Sequence, residues 1–413
     1  LSPTRFALAA LVVVGACGGA GCGASGSGAA GAADAAPGAA DAASVTSDAR
    51  SALADAAVQP DAAPAPADVS ATLEPYRAQA SAPAMAAAVW RGGTLIALGA
   101  TGVRKLGDPT SVTTGDLWHL GSDTKAMTAT LIGIYVDAGT LHFSDTIAAL
   151  FPGETIDPGY RAVTLDQLLE HRGGLPSSIP SDIWNQMWAD GATPGARLKA
   201  VRAMLAQPPA QTPGTYAYAN AGYMVAGAAL ELAVGDTWEH LISQKLWRPL
   251  GMASCGFGAP GTAGQVDQPW GHQTLGDGSL KPLDPGTAGS DNPPSLGPAG
   301  TAHCSLADWG KFLALHVAGA RGETTPLVRT ATLQHLQTPP AGGDYAAGWA
   351  ITSRDWAGGL AITHTGSNTL WYATAWLAPA KNLAFVVVSN CASPAAATQV
   401  DAAFGPLIQA YAK

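Results

Sequence analysis

The sequence predicts a mixed α/β (α+β) fold, an antiparallel sheet flanked by helices beside a mostly helical lobe, on three observations. Near the start of the apolar region, AMAAAVW and TLIALGAT flank the turn Arg91-Gly92-Gly93 and read as a β-hairpin. From about Leu141 to Pro298, helix signals outnumber strand signals. After SLADWGKFLALHVAG the pattern changes to YAAGWAITS, LAITHTG, WYATAWLAP and LAFVVVSN, short strands bounded by Gly, Pro or Asn. Connections this short favour antiparallel pairing.

The elements follow in order. Ala71 to Ala80 reads as a helix ahead of the hairpin. Ser122 to Ala138 carries Met127, Leu131, Ile134 and Tyr135 at helical spacing, with Gly139 just past the end. In VTLDQLLEHRGG, Thr164 and Gln167 form a capping box and the double glycine a stop, and AGYMVAGAALELAVG and TWEHLISQKLW continue the helical lobe. A last helix spans roughly Ala395 to Ala412.

A chain of 413 residues, 47% hydrophobic, can bury a large core as one domain or two interleaved lobes. Its formal charge of -9 lacks the basic footprint that phosphate backbones need, so nucleic acid is not an expected partner. The nine histidines are scattered and neither H-E-x-x-H nor CxxC occurs, so no metal or cofactor is called for.

The first residues read as an export signal: Arg5, an apolar run from Phe6 to Val14, then small residues. Val14-Gly15-Ala16-Cys17 resembles a bacterial lipobox, which makes residues 1–17 a lipoprotein signal with Cys17 as the lipidated mature N-terminus. Ordinary signal cleavage after Ala16 is the competing reading. Gly18 suits sorting to the outer membrane, so the expected location is the cell envelope, with a lipid anchor as the membrane contact. Residues 18–69, rich in Ala, Gly, Pro and Asp, cannot bury enough surface to offset their ordering entropy and are expected to form a disordered arm. The folded domain is then 70–413.

Three stations carry the chemistry: Ser122-x-x-Lys125, Tyr218-Ala219-Asn220 and His364-Thr365-Gly366. Alone, S-x-x-K is common; three motifs in this order are specific. With the flanks HRGGLP, PGTYAYANAGY, WRPLGM and PAGTAHCSLADWGKF, the chain from about Ser70 onward resembles the serine β-lactamase and penicillin-binding-protein superfamily, in the class C, DD-peptidase and family VIII esterase branch. The resemblance implies a two-lobed β-lactamase/transpeptidase-like fold with the active site in the cleft.

Ser122 at a helix start faces free backbone N–H groups and the positive dipole end, which favour a nascent anion. Lys125, one turn on, shares its face and would favour the phenolate of Tyr218 as general base. Asn220 would orient Lys125 and the substrate amide. His364, Gly366 and Ser367 would form a strand edge for substrate, and the family pattern implies that the Ser367 and Ser122 N–H groups make the oxyanion hole.

True class C enzymes carry Lys-Thr-Gly where this chain has His364, whose ordinary pKa near 6.5 leaves it mostly neutral at pH 7. Efficient penicillin hydrolysis is therefore not expected. The favoured reading is an exported serine hydrolase that forms an acyl-enzyme on Ser122 with an ester or amide, D-amino-acid cell-wall peptides among the candidates. D-Ala-D-Ala carboxypeptidase or weak class C-like β-lactamase activity is the alternative, and a non-catalytic peptidoglycan or peptide binder is the reading from a different class. Trp371 and Tyr372 read as core rather than pocket rim. Cys22, Cys255, Cys304 and Cys391 allow three pairings, of which Cys255–Cys304 is one.

Overall fold

The computed structural model describes residues 64–413, so the expected signal, the lipidated Cys17, Cys22 and nearly all of the expected arm lie outside the described residues. Its one large sheet has seven strands in the order β1-β3-β2-β12-β11-β10-β9. These are β1 (Ala67–Asp68), β2 (Ala84–Arg91), β3 (Thr94–Gly102), β9 (Ala350–Arg354), β10 (Gly359–Ser367), β11 (Tyr372–Ala378) and β12 (Leu383–Ser389). All neighbours pair antiparallel except β1, which runs parallel to β3 with Ala67 opposite Ala97. The sheet is therefore mixed. Just ahead of Ser70, Ala67 and Asp68 pair in β1 and Val69 is buried. Two residues are too few for composition to reveal.

The hairpin forms as expected, with Gly92 and Gly93 both at positive φ, 56° and 77°, the backbone that a tight two-residue turn requires. Alternation then sorts the side chains. Met85, Ala87 and Val89 pack with Phe385, Val387 and the helices Ser70–Gln79 and Pro394–Tyr411 on one face. Ala84, Ala86, Ala88 and Trp90 join Val386, Val388 and the main core on the other. Both faces are covered, so β12 is buried along its whole length and reads as a continuous apolar run.

α2 (Thr124–Asp137) lies within that main core and is buried nearly all round, from Thr124 to Gly133. A 3₁₀ turn, Gly121–Asp123, leads into it, so Ser122 stands in the turn rather than in the first α-helical residue. In the helical lobe, Thr164 and Gln167 do form a capping box. The helix it starts is short, Leu165–Leu169, and ends before the double glycine. His171, at φ 58°, breaks it, and its Nδ1 accepts the Ala219 N–H at 3.1 Å, a contact across sequence that the local pattern does not contain.

Cys255 and Cys304 are joined by a disulfide next to the pairing of Gly256–Phe257 with β8 (Ala302–Ser305), while Cys391 is free and buried. Trp371 is fully buried, in line with the core reading, and Tyr372 is half-buried. Among the described residues no helix is long and apolar enough to cross a membrane.

Two buried histidines make stability depend on pH. His272 accepts the Leu106 N–H at Nε2, 3.0 Å, and donates from Nδ1 to the Asn390 carbonyl, 2.9 Å. His316 contacts Thr130 Oγ1 at Nε2 and Gln337 Nε2 at Nδ1, both at 2.9 Å. Each neutral ring is satisfied, and an added proton would face a donor. Burial lowers them to about 4 and about 3, below the ordinary 6.5. The unfolded chain thus binds more protons between these values and 6.5, and stability falls as pH falls. Each should cost about 1.4 kcal/mol per pH unit from 6.5 down to about 4. Urea unfolding at pH 7, 5.5 and 4.5 checks this, and His272→Gln should flatten the slope; an unchanged slope would remove His272 from the effect.

Candidate active site

The stations of the sequence meet at one place. Lys125 Nζ, fully buried, lies 2.9 Å from Ser122 Oγ, 2.7 Å from Asn220 Oδ1 and 2.6 Å from the Ala299 carbonyl. Tyr218 donates its O–H to Ser122 Oγ at 2.7 Å. Asn220 opens the helix Asn220–Val234; Ser122, Tyr218 and Asn220 are half-buried, while Lys125 is fully buried. Thr124 pins the turn: its hydroxyl donates to the Gly121 carbonyl at 2.7 Å and accepts the Ala302 N–H at 3.1 Å.

The third station abuts the first. A Cβ on Gly366 would run into the Leu120 carbonyl oxygen, and one on Gly121, at φ 51°, into the Ser367 backbone nitrogen. Only glycine lets the end of β10 and the nucleophile turn touch backbone to backbone. β9 stops pairing at Thr363, so His364 to Ser367 has no strand on that side, while β11 pairs the other side as far as Ser367 opposite Tyr372.

His364 is placed differently from the expectation. It is 2% exposed, its Nε2 is 3.0 Å from the Tyr345 hydroxyl and its Nδ1 is 3.6 Å from Asp123 Oδ1. The ring forms the wall behind the site rather than an open contact for substrate, because β10 turns alternate residues inward and 364 is one of them. Burial, then the neighbouring Lys125, holds it at about 3, so it is neutral at pH 7.

The expected phenolate is also corrected. Lys125 Nζ stands over the Tyr218 ring, 4.9 Å from its centroid. Burial holds the Lys125 amine well below the usual lysine range, opposed only by Asp123, and raises the Tyr218 phenol above its ordinary value. Burial also raises Asp123 well above the carboxylate range, and neither of its oxygens has a hydrogen-bond partner. A desolvated site favours neutral forms, so burial pushes Lys125 toward the amine and Tyr218 toward the phenol.

Sequence reasoning missed four participants. Ala299 acts through a backbone carbonyl, which leaves no side-chain signal. Asp123 sits inside the S-x-x-K spacing as an unspecified residue. Tyr345, against both His364 and His171 at ring-centroid distances of 5.8 and 4.8 Å, opens the expected strand YAAGWAITS, but the strand itself begins at Ala350 and Tyr345 stands ahead of it, bridged to Ala350, where strand periodicity does not single it out. His171 stacks on Tyr218 at 4.2 Å between ring centroids.

The model of the family described as Beta-lactamase matches residues 69–409. The chain belongs to the beta-lactamase family. Among relatives of this beta-lactamase family protein, penicillin-binding protein 4 of Amycolatopsis lactamdurans is 27% identical over 331 residues, 77% of this chain and 83% of the relative. A putative D-alanyl-D-alanine carboxypeptidase of Escherichia coli (strain K12) is 28% identical over 162 residues, 36% of each chain. A D-stereospecific amidohydrolase from Streptomyces sp. shares the fold, with a TM-score of 0.64 at 19% identity over 81% of this chain and 98% of that one. Hydrolases are thus among this family member's relatives, and the mixed sheet flanked by helices matches its structural neighbours.

Proposed function

We propose that this protein is a serine hydrolase in which Ser122 forms an acyl-enzyme with an amide or ester, and that its substrate is a D-amino-acid-containing peptide. The observation that carries this is the Ser122 hydroxyl held between Lys125 Nζ at 2.9 Å and Tyr218 O–H at 2.7 Å. In the amine form that burial favours, Lys125 has two N–H bonds for two groups that only accept, Asn220 Oδ1 and the Ala299 carbonyl. Its lone pair is left for the serine. Lys125 takes the Ser122 proton as Oγ attacks the carbonyl, and Tyr218 delivers a proton to the leaving group. The N–H groups of Ser122 and Ser367 hold the oxyanion. Asn220 and the open side of β10 from His364 to Ser367 seat the substrate main chain, with the His364 ring as the wall behind Gly366.

The D-peptide reading is supported by the relatives named for D-alanyl-D-alanine carboxypeptidase and D-stereospecific amidohydrolase activity. A neutral, buried His364 puts no cation at the third station, which argues against efficient turnover of an anionic β-lactam. We also propose export and a lipid anchor at Cys17, on the apolar run and Val14-Gly15-Ala16-Cys17; an unlipidated Cys17 terminus in protein from its native host would refute this.

Turnover of a D-Ala-D-Ala peptide, a p-nitrophenyl ester and nitrocefin tests the reading. The peptide should be the best substrate and nitrocefin the poorest. Tyr218→Phe should lower kcat by about 10²–10⁴-fold, the usual worth of a positioned acid or base. Absence of any fluorophosphonate adduct on Ser122 in folded protein would instead favour a non-catalytic binder.

A further inference from the structure

A carboxylate with no part in the chemistry above ties together the segments on either side of the oxyanion position. Asp291 lies in the long segment before β8, its side chain 8% exposed. Its Oδ1 accepts from Asn368 Nδ2 at 3.0 Å and is 2.8 Å from His119 Nε2, an approach off the line of the ring N–H. The other ring nitrogen of His119, Nδ1, accepts the Gly121 N–H at 3.0 Å, so the proton is on Nε2, on the side of the carboxylate. Asn368 Oδ1 accepts the N–H groups of Leu370 and Trp371, both at 3.2 Å, and the Thr369 N–H donates to Ser367 Oγ at 2.9 Å.

A chain of polar contacts thus runs from the residue before Ser122 to the residue after Ser367: Gly121, His119, Asp291, Asn368, hydrogen-bonded at both ends and joined in the middle by the 2.8 Å His119–Asp291 approach. The Gly121–Gly366 backbone contact sets how closely the nucleophile turn and the end of β10 can approach, but steric contact cannot stop them from parting. An attractive restraint is needed, and a buried carboxylate facing two donors supplies one.

We infer that Asp291 is a positioning residue that holds the Ser122 and Ser367 backbone N–H groups at a fixed separation by clamping His119 to Asn368. Asp291 acts through these two side chains and not on substrate. The inference rests on the proposed acyl transfer with those two donors.

The test compares wild type, Asp291→Asn and Asn368→Ala on a p-nitrophenyl ester and on the matching thionoester, whose sulfur accepts hydrogen bonds poorly. Loosened donors should cost the ester about 10–100-fold in kcat, less than the roughly 10²–10³-fold for losing an oxyanion donor outright, with KM nearly unchanged. The thionoester should lose much less, so the ester-to-thionoester ratio should fall in both variants. If both substrates slow in equal proportion, or KM alone moves, Asp291 is a structural brace and the inference is wrong. Wild-type kcat and an unchanged ratio in either folded variant also overturn it. Should Asp291→Asn fail to fold, Asn368→Ala carries the test. Failure of wild type to turn over any ester, without a Ser122 adduct, would instead defeat the proposed reaction, and this inference with it.

Discussion

Ser122→Ala should remove turnover of every substrate that wild type accepts, by on the order of 10⁶-fold, the scale for deleting an acyl-transfer nucleophile. Among the described residues the Ser122 hydroxyl alone hydrogen-bonds both Lys125 Nζ and Tyr218 O–H, and no neighbouring side chain is placed to take over. Asp123 is next in sequence, but it is buried and its carboxyl faces His364. The variant should fold, because Ser122 is half-buried and water can satisfy the groups it leaves; a stability change of about 1 kcal/mol is expected. Loss of turnover and of fluorophosphonate labelling, with a thermal midpoint within about 4 °C of wild type, is the expected result. Retained turnover would exclude Ser122 as nucleophile.

Lys125→Met should slow acylation by about 10²–10⁴-fold, the contribution of a positioned base. Methionine nearly fills the volume, so the packing of α2 should survive. The substitution strands the buried Ala299 carbonyl and Asn220 Oδ1, each at a cost of about 1–3 kcal/mol. The pH profile separates base loss from loosening. In wild type, kcat/KM should rise with pH through the Lys125 amine, which burial has moved well below the usual lysine range. That limb should vanish in Lys125→Met and persist in His364→Gln, since His364 at about 3 is already neutral where the enzyme works. Loss of the limb in His364→Gln would assign the base to the histidine instead.

Much of the architecture follows from neighbours in sequence. The Gly92-Gly93 turn, the capping box at Thr164 and Gln167, the alternation along β2 and the last helix are each set by residues two to four apart, and each is where the local pattern puts it. Local pattern failed where a distant contact intervened. The helix after Thr164 stops at Leu169 because His171 is held by Ala219, and Ala67–Asp68 pairs as a strand because β3 offers an edge. Composition cannot report on either.

By itself the sequence determined the fold class, the three stations and their order, and the face shared by Ser122 and Lys125, because helical and strand periodicity are properties of short spacings. Tertiary structure alone decided the charge states and the wall of the site. Lys125, Tyr218 and His364 carry reactive groups whose protonation depends on how much water they lose, and that depends on Asn220, Ala299 and Tyr345, far away along the chain. It also chose Cys255–Cys304 among the pairings and brought Asp291 between His119 and Asn368, since proximity between residues that lie 49 apart or more is written in packing and not in spacing.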